Sequence, residues 1–135
     1  MKILLDTNIV LDVLLDRKPF AAAAAEIFSR AERSEISGFL CATTITTIDY
    51  LLNQALPAKD ARRTIWRLLS LFEVAVVNRS VIESALKSKI PDFEDAVMVE
   101  AGQLAGVESI VTRNTKDFKH SPLKVLDPKE FLSYL

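Results

Sequence analysis

Carboxylates recur in this chain at places where acids are expensive to keep. Asp6 ends the apolar run Ile3-Leu4-Leu5 and is followed by two small polar residues, Thr7 and Asn8. Asp49 falls at the edge of the stripe Ile45, Ile48, Leu52 and Leu56 when that segment is set at helical steps. Asp95 shares a helix face with Met98, Val99 and Gly102, whereas Glu94, Glu100 and Gln103 point elsewhere. Asp117 and Asn114 lie in a polar cluster, with Arg113 and Lys116 between them, directly after the apolar run that ends at Thr112. A carboxylate beside a core costs several kcal/mol unless it is paired or binds a metal. Several in one pocket repel and raise each other's pKa values. The chemistry that collects them is oxygen coordination of a hard divalent cation, with Mg²⁺ or Mn²⁺ the best match. The single histidine, His120, and single cysteine, Cys41, provide no competing zinc set.

Each acid also has an ordinary explanation. Asp92 and Asp95 stand three apart at a helix start, which is a capping-box spacing. Asp6 can cap a helix, a contribution of about 1 kcal/mol. Asp49 can pair with an arginine, and residues 113–118 can form a charged surface turn. What separates a site from four unrelated acids is whether the fold brings them together.

The elements that must do so are legible. Ile3–Leu5 is a short strand, and Asn8–Leu15 an amphipathic helix broken by Asp16-Arg17-Lys18-Pro19. Five consecutive alanines start a helix over Phe20–Arg33. Phe39–Ala42 is a buried strand, and Thr43 or Thr44 caps a helix running to about Asn53. A helix over Ala61–Leu71 turns Arg62, Arg63 and Arg67 outward, and Glu73–Val77 is a Val-rich strand. Helices follow at Ser80–Lys87 and from Pro91-Asp92 to Ala105, the second closed by Gly106. Ser109–Thr112 and Leu123–Leu126 are strands, Arg113–Pro122 a loop and Pro128–Leu135 a last helix. Strands separated by helices require crossover connections, hence an α/β protein with a mainly parallel sheet. In such a sheet the tips at Asp6 and Thr112 lie on one edge, near the two acid-bearing helices. Gly102 removes bulk where its helix passes close to another element.

Composition bounds the remainder. The 135 residues suit one domain with a real core. A net charge of −1 gives no overall field toward nucleic acid or membrane, so any such contact must be local. No apolar run reaches membrane-spanning length, the start lacks signal-peptide features, and Cys41 reads as core packing in a reducing compartment. A soluble cytoplasmic protein is expected.

The quoted motifs resemble those of the PIN-domain family over essentially the whole chain, residues 1–135, and most closely its VapC-type toxin branch. The similarity is carried by Leu-Leu-Asp6-Thr7-Asn8, by Asp92-Phe-Glu-Asp95-Ala, by Thr112-Arg-Asn114-Thr-Lys-Asp117-Phe and by an acid on the helix after the second strand, Asp49. Each motif is weak alone; four in order on the expected elements are specific. The resemblance implies a three-layer α/β/α fold, a divalent-metal-dependent ribonuclease, a small antitoxin partner and a homodimer. It departs at two points. The helix acid is usually glutamate, so the shorter Asp49 would reach a metal only through water. Aspartate is frequent where Asn114 stands, leaving either Asn114 or Asp117 for that role, with Asp117 the charged choice.

On this reading Asp6, Asp95 and Asp117, together with Asp49, hold one or two Mg²⁺ or Mn²⁺ ions. Thr7, Asn8, Asp92 and Asn114 orient the ligands, and Arg113 and Lys116 grip RNA, joined by the arginine face of residues 62–67 unless that face is merely solvated. Rival readings are a PIN-like module that binds RNA or protein without cutting, a housekeeping RNA-processing nuclease, and a phosphotransfer domain. The last lacks the second aspartate or early acid pair that such enzymes need.

Overall fold

A computed structural model describes all of residues 1–135. Five strands, β1 (Lys2–Leu5), β2 (Ser37–Cys41), β3 (Glu73–Ala75), β4 (Ser109–Val111) and β5 (Lys124–Leu126), form one sheet in the order β3-β2-β1-β4-β5. Every pairing is parallel. The helices are α1 (Thr7–Leu14), α2 (Ala21–Glu32), α3 (Ala42–Asn53), α4 (Ala58–Leu71), α5 (Arg79–Leu86), α6 (Phe93–Ala105) and α7 (Pro128–Ser133). A 3₁₀ turn spans Thr115–Phe118.

The central strand explains the layering. Ile3, Leu4 and Leu5 are all fully buried, which an apolar strand achieves only when both faces of its sheet are covered. Ile3 and Leu5 join a core with Ile9 of α1, Ile27 of α2, Ile48 of α3, Leu68 of α4 and Phe131 of α7. Leu4 points the other way, into a second core with Val81 of α5 and Met98 and Val99 of α6. The result is three layers, α/β/α. Burying each such aliphatic side chain contributes about 1.5–3 kcal/mol, so β1 is held firmly in register.

Two local features fix α6. Gly106 follows it with φ 80°, the left-handed position that glycine adopts without strain. A Cβ at Gly102 would lie 3.0 Å from Val107 and 3.2 Å from Leu4, so the helix rides close over β1, as the glycine suggested.

Several boundaries differ from expectation. β3 stops at Ala75, and Val76 is exposed beyond it, because an edge strand has only one partner to hold it. The segment before Ala61 is already helical from Ala58. Neither Thr43 nor Thr44 caps α3. The N-cap is Cys41, with no side-chain cap bond, and Thr44 is buried inside the helix, its hydroxyl turned sideways to Thr7.

Candidate active site

From β1 the chain adds β2 and β3 on one side, then β4 and β5 on the other, so the order reverses between β1 and β4. Open parallel sheets bind ligands beyond the carboxyl ends of the strands flanking such a reversal. Asp6 and Thr112 are the first residues past those two ends.

Asp6 is tied in place from every side. Its N–H donates to Val111 O at 3.0 Å, continuing the ladder to β4. Its carboxylate accepts from Thr112 Oγ1 at 2.6 Å, from Thr7 N at 2.7 Å and from Asn8 Nδ2 at 3.3 Å. Asp6 does cap α1, but capping explains neither the Thr112 bond nor the burial of the side chain. That burial raises the Asp6 pKa. The Thr112 and Thr7 hydrogen bonds oppose it, and the charges of Glu94 and Asp117 add to it.

Asp95 occupies the first turn of α6 and donates its N–H to Asp92 Oδ1 at 2.9 Å. Its carboxyl is pushed up to about 7, by burial first and then by the charges of Asp92, Asp6, Asp117 and Glu94. Four acids from three separate segments thus act on one carboxyl. This is the convergence that spacing alone left open.

Between Asp6 and Asp95 lies a cleft of about 380 Å³ lined also by Thr7, Asn8, Asp92, Glu94 and Asn114, with Arg17 and Arg113 in the wall. Glu94 had been expected to face away. Instead it lines the cleft and accepts from Thr47 Oγ1 at 3.4 Å. Asp117 is exposed on the 3₁₀ turn and acts on Asp6 and Asp95 through its charge, while Asn114 is the member of its pair at the wall. Asn114 N donates to Thr112 Oγ1 at 3.0 Å, so this hydroxyl couples the loop to Asp6.

Three expectations fail. Asp49 does not join the other acids: it neither lines the cleft nor contributes to the shifts of Asp6 and Asp95. α3 meets the site through Thr44 and Thr47, and two helical steps place Asp49 roughly 160° around from Thr47. Asp49 Oδ1 is buried there with no hydrogen-bond partner. Arg113 is not a free RNA-gripping side chain. Its Nε and Nη2 donate to Asp12 at 2.7 and 3.1 Å, and its guanidinium stacks on Phe20 at 3.9 Å. Arg62, Arg63 and Arg67 form an exposed face of α4 that does not line the cleft. Lys116 is exposed on the 3₁₀ turn.

Sequence reasoning also passed over Asp12 and Arg17. Asp12 is fully buried on α1, held by Arg113 and by Arg17, whose Nε lies 3.0 Å from its Oδ1. The available signal was its position three residues after Ile9, on the buried face of an otherwise apolar helix.

The donor set suits a hard cation. It consists of oxygens only, two of its carboxyls are raised by burial and then by the charges of neighbouring acids, and Asn8 Oδ1 at the cleft is buried without a partner. No three of the acids enclose an ion by themselves. That looseness fits Mg²⁺, which retains several waters and takes only one or two carboxylates from a protein.

The family model of the PIN domain matches residues 2–116, and the chain belongs to this family. No curated protein sequence matches it. Its fold is similar to that of a chain in VapBC2 from Rickettsia felis bound to a DNA fragment from their promoter. The two share 15% identity and a TM-score of 0.71, over 94% of this chain and 98% of that one. A toxin-antitoxin complex from Klebsiella pneumoniae gives 22% identity and 0.70, over 93% and 96%. VapBC-1 from nontypeable Haemophilus influenzae gives 18% and 0.71, over 96% and 99%. At such identities the likeness establishes a shared fold over nearly the whole chain.

Proposed function

We propose that residues 1–135 form one PIN domain acting as a divalent-metal-dependent endoribonuclease, the toxin of a toxin–antitoxin pair. The observation that carries the reading is the meeting of Asp6 and Asp95 in one polar cleft at the sheet's reversal point, with both carboxyls raised by burial first and by neighbouring acids second. Asp6 and Asp95 would hold Mg²⁺ or Mn²⁺, with Asp117 adding charge from the adjacent turn. When bound, such an ion supplies charge neutralisation at a phosphodiester and an acidified water.

The chain's own groups do the rest. Thr112, Thr7 and Asn8 fix the Asp6 carboxylate by hydrogen bonds, so it need not reorganise when a substrate arrives. Asp92 holds the first turn of α6, and thereby the direction of Asp95. Asn114 offers an amide at the wall, and Lys116 a cation on the neighbouring turn. Asp49 is left out of the proposed set.

The toxin role and a small antitoxin are supported by the family and by the toxin–antitoxin complexes that share the fold. Exposed apolar side chains such as Tyr50, Trp66 and Leu69 on α3 and α4 offer surface for that partner or a second copy, and a cytoplasmic location belongs to the same reading. No helix is long and apolar enough to cross a membrane. A module that binds without cutting is a second reading, favoured by Thr47 standing where α3 faces Glu94 and no acid of α3 lining the cleft. RNA cleavage with Mn²⁺ by wild type, Asp6→Asn and Asp95→Asn decides between them. Loss of cleavage in both variants and in chelator supports the nuclease, and equal cleavage by all three rejects it.

A further inference from the structure

A second cluster of charge stands against the acidic cleft, and its stoichiometry is uneven. Asp12 is the only carboxylate in it, while two guanidiniums, of Arg113 and Arg17, converge on its oxygens. Arg113 is well satisfied, with two hydrogen bonds to Asp12 and the Phe20 ring against its face. Arg17 is not. Its Nε lies 3.0 Å from Asp12 Oδ1 but off the hydrogen-bond line, and its one hydrogen bond is a long one, 3.4 Å from Nη2 to Asn8 O. A guanidinium has five N–H donors, so most of those on Arg17 are uncommitted. One carboxylate neutralises one arginine, and the surplus positive charge sits on Arg17. Its side chain keeps 39% of its exposure and lines the same cleft as Asp6 and Asp95.

The backbone fixes this position. Arg17 N donates to Asp12 O at 3.0 Å, and Arg17 O accepts from Phe20 N and Ala21 N at 3.0 and 2.8 Å. Both arginines are engaged at Asp12, and neither forms an ion pair with the acids of the cleft. A cation held a short way from a carboxylate cluster, and restrained from collapsing onto it, is what a phosphodiester lying across the cleft requires. Its fork geometry suits phosphate oxygens.

We infer that Arg17 is the phosphate-binding residue of this site, gripping the backbone of a single-stranded RNA beside the acids, with the buried Asp12–Arg113 pair positioning it. The inference rests on the nuclease reading above but is tested by binding rather than cleavage. The probe is a short fluorescein-labelled single-stranded RNA, its anisotropy measured against salt in EDTA and again in Ca²⁺. Arg17→Gln is expected to weaken binding about tenfold and to lower the slope of log K against log salt by about one charge. Arg17→Lys keeps the charge beside Asp12, and therefore the fold and the slope, but loses part of the affinity with the fork. Arg33→Gln, at the opposite edge of the sheet before β2, is expected to change nothing.

A folded Arg17→Gln protein with wild-type affinity and slope overturns the assignment, as does an absence of measurable wild-type binding in both EDTA and Ca²⁺. Either result leaves the Asp6 and Asp95 cleavage test standing. Conversely, failure of that test leaves a salt-dependent Arg17 contact intact as a plain RNA-binding feature.

Discussion

Thr112 Oγ1 and Asp6 Oδ2 stand 2.6 Å apart, joining residues separated by 106 positions in the chain. The same hydroxyl accepts from Asn114 N, so a single buried threonine sets both the carboxylate at the tip of β1 and the loop leaving β4.

Replacing it with the near-isosteric valine removes a charge-assisted hydrogen bond from a buried acid. Thr112→Val is expected to lose about 1–3 kcal/mol of stability at pH 8, and less at pH 4, because the raised Asp6 carboxyl is more fully protonated at the lower pH. Urea unfolding at the two pH values checks this; equal losses would contradict a bond to the ionised form.

Asp95 links stability to pH with a definite sign. Its carboxyl rises from 3.8 to about 7 on folding, so across that window the folded chain holds a proton that the unfolded chain releases. Its contribution is complete below the lower value and is lost as pH rises through the upper one. Asp95→Asn should therefore flatten the decline and stabilise the protein at pH 8. Because the side chain is half-exposed and screened by water, the gain is on the order of 1–2 kcal/mol rather than the full shift. Thermal melts in EDTA from pH 4 to 8 measure it, and a variant no more stable than wild type at pH 8 argues against the raised carboxyl.

Mn²⁺ should reverse that penalty. A ligand bound only by the folded state stabilises it by about 2.7 kcal/mol at a hundredfold over its Kd. The rise in melting temperature is expected to be large at pH 8, small at pH 5 where protons compete for Asp95, and absent in Asp6→Asn. A shift that ignores both pH and Asp6 would place the ion elsewhere.

Removing the buried carboxylate of the arginine cluster leaves two guanidiniums without their counter-ion. Asp12→Ala is expected to cost about 3–5 kcal/mol in denaturant unfolding. Asp12→Asn, which preserves shape, should cost less but lets the arginines turn toward the acids, and so should weaken the Mn²⁺ effect. A Mn²⁺ response unchanged in Asp12→Asn would show that the pair does not restrain them.

Glu94 and Asp49 form a contrasting pair. Glu94→Gln removes one of the charges that raise Asp95, so the Asp95 midpoint should move down when its carboxyl carbon is titrated by NMR. Asp49→Asn, on the far side of α3, should leave that midpoint in place. The opposite pattern would return Asp49 to the site.

Much of this protein was written locally. The apolar run before Asp6, the strand–helix alternation and Gly106 after α6 require only neighbours in sequence, and they fixed a parallel α/β fold. The acids at strand tips and helix starts were likewise visible, because an acid after an apolar run is conspicuous wherever the chain goes. What no local pattern held was rotation and partnership. Whether α3 turned Asp49 or Thr47 to the cleft depended on how that helix packed between α1, α4 and α6. Whether Arg113 was free depended on a carboxylate 101 residues away, which looked like one more polar position on a short helix. Hydrophobic periodicity records which side of an element is buried, and so it located the strands. It does not record which polar group meets which across the interior, because those meetings are settled by tertiary packing and by the cost of leaving a buried charge alone.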